Sequence, residues 1–290
     1  MVKLPEIEKL DSQPIAVIGM GTLGRRLAMM FSTQGGLVHA YDSNPRVAEE
    51  GAAYVRETVG DICKTVPGGH PGRVVIAPDL ASAVKGAWLV IEAVLEKADL
   101  KTELFGELDR LAAPETILAT NSSSFKSSEM IGKVTRPERV LNMHFYMLPK
   151  MRSVELMTCG KTDEAYISYL KEILPRWGFW PHVAMKESTG LIFNRVWAAI
   201  KREAVFVLAE GVATPEDVDA LFREVLGTEA SPFRLMDQVG LDVVLDIENH
   251  YAAERPGLPV EVRDLLKKYV AQGKLGVKTG SGFYDDYKKK

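Results

Sequence analysis

The stretch that decides the fold is "IAVIGMGTLGRR", residues 15–26. Four apolar residues, Ile15 to Ile18, read as a short buried strand. Glycines follow at 19, 21 and 24. From residue 22 to 34 the apolar residues Leu23, Leu27, Met30 and Phe31 recur at helical spacing, and Gly35-Gly36 ends the helix. The segment is therefore a strand, a tight glycine turn and a helix.

Glycines in that order suit a dinucleotide. The first makes the turn, the second lets backbone approach a pyrophosphate, and the third lets helix pack close on strand. The helix start then offers free N–H groups and a positive dipole end to the phosphates. Eighteen residues after the last glycine, Asp42 closes a second strand, "LVHAYD" (37–42). A carboxylate there accepts hydrogen bonds from both ribose hydroxyls and repels a 2′-phosphate, which favours NAD over NADP. Arg46 nearby weakens that preference slightly. The expected NAD site is thus Gly19, Gly21, Thr22, Leu23, Gly24 and Asp42.

Outward from this segment, strands and helices keep alternating. Helical "NPRVAEEGAAYVRETVGDICKTV" stops at the turn cluster "PGGHPG". Strands are expected at 73–77, 87–94, 116–121, 139–145, 153–159 and 180–185, with helices begun at Asp79 and over 99–112 and 163–177. The alternation implies an α/β, Rossmann-type, doubly wound and mostly parallel sheet covered on both faces. After Ser188 the strand signal fades. Residues 189–211 read as one long helix, apolar on most sides and so buried. A helix over 214–227 starts with Thr214 as N-cap and Pro215 at its first position. Helical stretches over 232–253 and 260–272 complete an all-helical C-terminal domain. The expected domains are 1–187 and 188–290.

The bulk properties are those of an ordinary globular protein of 290 residues, 46% hydrophobic and 26% charged. A net charge of −3 argues against nucleic acid as a partner. Lys288, Lys289 and Lys290 read as a solvated, frayed tail. Two distant cysteines, Cys63 and Cys159, make neither a disulfide framework nor a zinc spacing. With no apolar run of membrane-spanning length and no signal-like start, the expected location is cytoplasmic.

An alcohol oxidised by a nicotinamide must lose its hydroxyl proton, and histidine suits that task. His39, His70, His182 and His250 fall inside a strand, in a turn, at a strand start and within a helix. His144 instead ends the strand "RVLNMHF", on the side where open α/β sheets bind ligands. Eleven residues on, Glu155 in "SVELM" can return to hydrogen-bond the imidazole, fixing its tautomer and raising its basicity. In "TNSSSF" (120–125), the hydroxyls and the Asn121 amide can bind a substrate oxygen or the nicotinamide ribose. Asn194 is a polar residue on an apolar helix, where a buried amide needs a partner. Each of these residues also has an ordinary structural reading.

Taken together, these pieces resemble the 3-hydroxyacyl-CoA dehydrogenase family over nearly the whole chain. "GMGTLG" with Asp42 matches its NAD site, and "VIEAVLEKADLKTELFGELD" its Glu-Ala-Val-x-Glu strand and helix. "ATNSSS", "MHFYMLP", "VELM" and "TGLIFNR" stand for its serine loop, histidine motif, glutamate and Asn-Arg motif. "SPFRLMDQVGLD" and "GVKTGSGFYDDY" match its helical domain. Eight segments in one order make the resemblance specific.

The resemblance implies roles. His144 would be general base in alcohol oxidation and acid in ketone reduction, and Glu155 would orient and polarise it. Ser123 would bond the substrate oxygen and Asn194 would complete that cluster. Glu92 and Lys97 would lie along the nicotinamide half. It also implies NAD as cofactor, a place in fatty acid metabolism and a homodimer through the helical domain.

The chain also departs from the family. Met147 and Leu148 replace an Asn-Pro, and the His-to-Glu spacing is one residue short. Over 46–72, where relatives dock CoA on a lysine-bearing helix, acids match bases. A CoA diphosphate wants net positive charge. Small free 3-hydroxy acids, such as the gulonate some relatives oxidise, or another carbonyl are therefore the alternative substrates. A dinucleotide-binding protein without catalysis, like a lens crystallin resembling the family, is the third reading.

Overall fold

The computed structural model describes residues 4–287, so the lysine tail of residues 288–290 lies outside the described residues. The chain divides into two compact units, Met1–Ile192 and Phe193–Lys290.

The first unit is built on one eight-stranded sheet. Its strands are β1 (Ile15–Ile18), β2 (Leu37–Tyr41), β3 (Arg73–Ile76), β4 (Leu89–Glu92), β5 (Ile117–Thr120), β6 (Val140–Phe145), β7 (Ser153–Thr158) and β8 (Trp180–Ala184). They lie in the order β3-β2-β1-β4-β5-β6-β7-β8. All neighbours are parallel except β6 and β7. The connecting helices are α1 (Thr22–Phe31), α2 (Pro45–Cys63), α3 (Leu80–Val84), α4 (Ala98–Leu111) and α5 (Glu164–Ile173). β1, β4 and β5 are buried at every position, as strands covered on both faces must be.

Strand order reverses between β1 and β4. Crossovers leave these two strands in opposite directions, so a crevice opens beyond their carboxyl ends. Gly19 follows β1 and Ala93 follows β4 at that point.

The second unit holds α6 (Phe193–Ala209), α7 (Pro215–Leu226), α8 (Pro232–Val239), α9 (Leu241–Glu254) and α10 (Val260–Ala271). Thr214 caps α7 by accepting from Asp217 N, with Pro215 at the first position. A core of Val205, Phe233, Met236, Leu241, Val262 and Leu266 joins the helices. Asp237, fully buried, accepts from Phe283 N at 2.9 Å, Tyr284 N at 3.0 Å and Tyr287 Oη at 3.0 Å. That carboxylate ties the segment "SPFRLMDQVGLD" to "GVKTGSGFYDDY", two stretches far apart in sequence.

Three expectations need correction. The helix over 189–211 starts only at Phe193, because Gly190 (φ 75°) and Leu191 (φ 52°) take left-handed conformations that no α-helix accepts. That helix is not buried on most sides, since Phe193 and Val196 are each 55% exposed. The stretch over 232–253 is two helices. Gly240 divides it at φ 107°, and a Cβ there would meet Asp242 Oδ1 and Lys278 Nζ, each at 2.8 Å.

Candidate active site

The glycine turn works as its chemistry requires. Gly19 has φ 95°, and a Cβ there would lie 2.6 Å from the Ala93 carbonyl oxygen. Gly21, the N-cap of α1, has nothing within 4 Å of where a Cβ would stand, so its exposed face is open to a ligand. No side chain caps the first turn of α1, which leaves its N–H groups for an anion. Thr22 is exposed there and Leu23 packs against the core.

Asp42 is tied to this turn. Its Oδ2 accepts from Met20 N at 2.8 Å and its Oδ1 from Asn44 N at 2.9 Å. Each carboxylate oxygen keeps a further acceptor site for a ribose hydroxyl. Gly19, Gly21, Tyr41, Asp42, Leu80 and Val94 help line a groove of about 580 Å3 beside it. The turn, the open helix end, the carboxylate and the groove fit the phosphates, ribose and adenine of NAD.

Beyond β4 the structure departs from expectation. Glu92 is wholly buried, and its oxygens bond Val94 N (2.7 Å), Lys101 Nζ (2.6 Å) and Thr120 Oγ1 (2.6 Å). This carboxylate organises the strand ends rather than facing a ligand. Lys97 is the exposed N-cap of α4. The buried cation is instead Lys101, 1% exposed, which also pairs with Glu96 at 3.1 Å. Glu96 in turn accepts from Ser122 Oγ. The signal for Lys101 was in the sequence: it shares the buried helical phase of Phe105 and Leu108.

The serine loop is laced to β6. Asn142 Oδ1 accepts from Ser127 N at 2.7 Å, and its Nδ2 donates to Phe125 O at 2.9 Å. Asn121 Oδ1 accepts from Phe145 N at 2.9 Å, so this side-chain oxygen holds the loop rather than a ribose. Ser122 is buried and bonded, whereas the Ser123 hydroxyl is half-exposed and has no partner among the described residues.

His144 Nδ1 lies 3.0 Å from the Asn121 carbonyl oxygen. A carbonyl only accepts, so Nδ1 carries the proton and Nε2 of the neutral ring keeps its lone pair. The antiparallel register sets Glu155 directly across from His144. The tautomer is thus fixed by the Asn121 carbonyl, not by Glu155 as expected. Glu155 Oε2 accepts from Ile192 N at 2.5 Å and its Oε1 from the Tyr146 hydroxyl. Burial holds the imidazole below the usual histidine range, opposed by its bond to Asn121 and by the charges of Glu155 and Glu96. Tyr146, which sequence reasoning passed over, was signalled only by its place two residues after His144, just beyond the end of β6.

Asn194 is the second residue of α6 in the second unit and is partly exposed, not buried. Among the other histidines, His39 and His70 bond the carbonyls of Ala83 and Gly68. No group of three or more metal-ligating side chains occurs among the described residues. None of the described helices is long and apolar enough to cross a membrane.

Residues 14–188 match the family described as "3-hydroxyacyl-CoA dehydrogenase, NAD binding domain", and residues 190–286 match "3-hydroxyacyl-CoA dehydrogenase, C-terminal domain". The chain is 33% identical to a probable 3-hydroxybutyryl-CoA dehydrogenase of Bacillus subtilis, over 95% of this chain and 98% of that one. It is 30% identical to a 5-formyl-3-hydroxy-2-methylpyridine 4-carboxylate 5-dehydrogenase of Mesorhizobium japonicum, over 93% and 89% of the two chains. Its fold is similar to that of the (S)-3-hydroxybutyryl-CoA dehydrogenase of Ralstonia eutropha, with a TM-score of 0.84, 27% identity and coverage of 96% and 99%.

Proposed function

The chain belongs to the 3-hydroxyacyl-CoA dehydrogenase family of NAD-dependent oxidoreductases acting on CH–OH groups, and from that premise we propose that it interconverts an L-3-hydroxyacyl-CoA thioester and its 3-keto form. The observation that carries the reading is the His144 tautomer. With Nδ1–H committed to Asn121, Nε2 is left to take the hydroxyl proton in oxidation and to return it in reduction. NAD, when bound, supplies the hydride acceptor. Glu155 faces the imidazolium as it forms and stabilises its charge. Ser123, with its hydroxyl uncommitted among the described residues, bonds the substrate oxygen.

The test is loss of NADH absorbance with acetoacetyl-CoA. His144→Gln should abolish turnover while NADH still binds. Turnover at the wild-type rate by that variant would remove His144 from the mechanism.

One observation favours a second reading, a small free 3-hydroxy acid. On and just after α2, Arg46 and Lys64 are each paired within a turn, to Glu50 and Asp61 at 2.7 Å, which reduces the positive charge this region offers a CoA diphosphate. The pyridine-carboxylate relative shows that the family is not confined to thioesters. Comparing kcat/KM for matched acids and CoA esters decides between them.

We also propose a homodimer formed through the second unit. Leu221 and Val225, one turn apart on α7, are 61% and 76% exposed, and Leu226 beside them is 60% exposed. Apolar side chains so grouped favour burial against a second copy.

A further inference from the structure

His144 is the last residue but one of β6, and Tyr146 follows the strand directly, two residues on. Glu155 stands across from His144 on β7. The Tyr146 hydroxyl donates to Glu155 Oε1, and its ring meets the imidazole edge-on, with centroids 4.8 Å apart at 69°. The other carboxylate oxygen accepts from Ile192 N. Donors from two separate segments therefore grip the carboxylate that faces the imidazole.

We propose that Tyr146 is a positioning residue for proton transfer: its hydroxyl holds the Glu155 carboxylate turned toward His144, and its ring braces the imidazole. The inference rests on the reading that His144 handles the substrate proton. An O–H···O− bond is among the stronger hydrogen bonds and fixes the direction of the carboxylate that accepts it. Glu155 so held is a fixed counter-charge facing the imidazole.

The phenol itself does not titrate in the working range. Burial, and then Glu155, push its pKa well above the usual tyrosine value, so it donates throughout. The charges acting on His144 are Glu155 from β7 and Glu96 from the segment after β4, and Glu96 is itself paired with Lys101. Removing the Tyr146 hydroxyl loosens the hold on the first of these.

The experiment compares full-length wild type with Tyr146→Phe, Glu155→Gln and the double variant. Phe keeps the ring edge and removes only the donor. NMR titration of the His144 Cε1–H, assigned with His144→Gln, reads the imidazole pKa in the absence of substrate. Steady-state kinetics with NADH and acetoacetyl-CoA, and with matched free 3-keto acids, reads turnover.

Tyr146→Phe should lower the imidazole pKa, in the same direction as Glu155→Gln. It should lower kcat about tenfold, the worth of one hydrogen bond to a charged group, with KM changed less than about twofold. The double variant should be no worse than Glu155→Gln alone. An unmoved or raised imidazole pKa in Tyr146→Phe, wild-type kcat, or fully additive effects in the double variant would each overturn the proposal. If the wild-type protein turns over no 3-hydroxy or 3-keto substrate, the reading of function fails. The NMR titration still decides the Tyr146–Glu155–His144 coupling in that event.

Discussion

A Cβ added to residue 24 would stand 1.7 Å from the carbonyl oxygen of Gly19. Nothing but glycine fits there, because α1 and the end of β1 touch backbone to backbone. Gly21, three residues earlier, has open space on its free side. The two glycines should therefore fail differently. Gly24→Ala should cost stability, by about 2 to 3 kcal/mol, because the clash is with backbone that cannot step aside. Gly21→Ala should melt with the wild type yet bind NADH at least about tenfold more weakly, because its methyl occupies ligand space. Thermal melts with fluorescence titration of NADH separate the two. Equal NADH affinity in Gly21→Ala would mean the pyrophosphate lies elsewhere.

The low pKa of His144 sets a pH dependence with a definite sign. With His144 as the proposed base, oxidation needs the neutral ring, and burial keeps that ring neutral to lower pH than an ordinary histidine, whose pKa is about 6.5. kcat/KM for oxidation should therefore hold as pH falls through that value and decline only below it. Ketone reduction needs the imidazolium, so it should weaken as pH rises through the same depressed pKa. Rate profiles in both directions check this, and oxidation already lost above about pH 6.5 would contradict it.

Lys101 and Glu92 form an ion pair at 2.6 Å, with 1% and 0% of their side chains exposed. Removing one partner leaves a buried charge alone. Lys101→Met should destabilise the protein by about 3 kcal/mol, and adding Glu92→Gln should recover part of that loss. Denaturant unfolding measures both. A Lys101→Met protein as stable as wild type would show that water reaches Glu92.

The apolar group on α7 should report on assembly. Leu221→Asp with Val225→Asp places two charges where a second copy would bury apolar area. Light scattering should then give the mass of one chain, against two for the wild type. An unchanged mass would put any dimer contact elsewhere.

The strand–glycine–helix opening, the alternation after it and the capped start of α7 were legible because neighbours along the chain carry their signals. Period two and period 3.6 need only local residues, and a glycine's freedom is its own. His144 and Asp42 could be singled out for the same reason: each sits where a strand of readable length ends, and Glu155 by its short distance along the chain from His144. That Glu92 is bonded within the protein was not legible, because chemistry-bearing residue types in a row do not show which of them turns inward. Helix phase answered that, and it turned Lys101 inward with Phe105 and Leu108.

By itself, the amino-acid order determined the class of fold, the cofactor and the imidazole to watch. Tertiary structure alone decided that the Asn121 carbonyl sets the tautomer, that Tyr146 grips Glu155, and that Glu92 is spent on Lys101 and Thr120. Those choices depend on which strand lies beside which and at what offset. A shift of one residue between β6 and β7 would send Glu155 to the other face of the sheet.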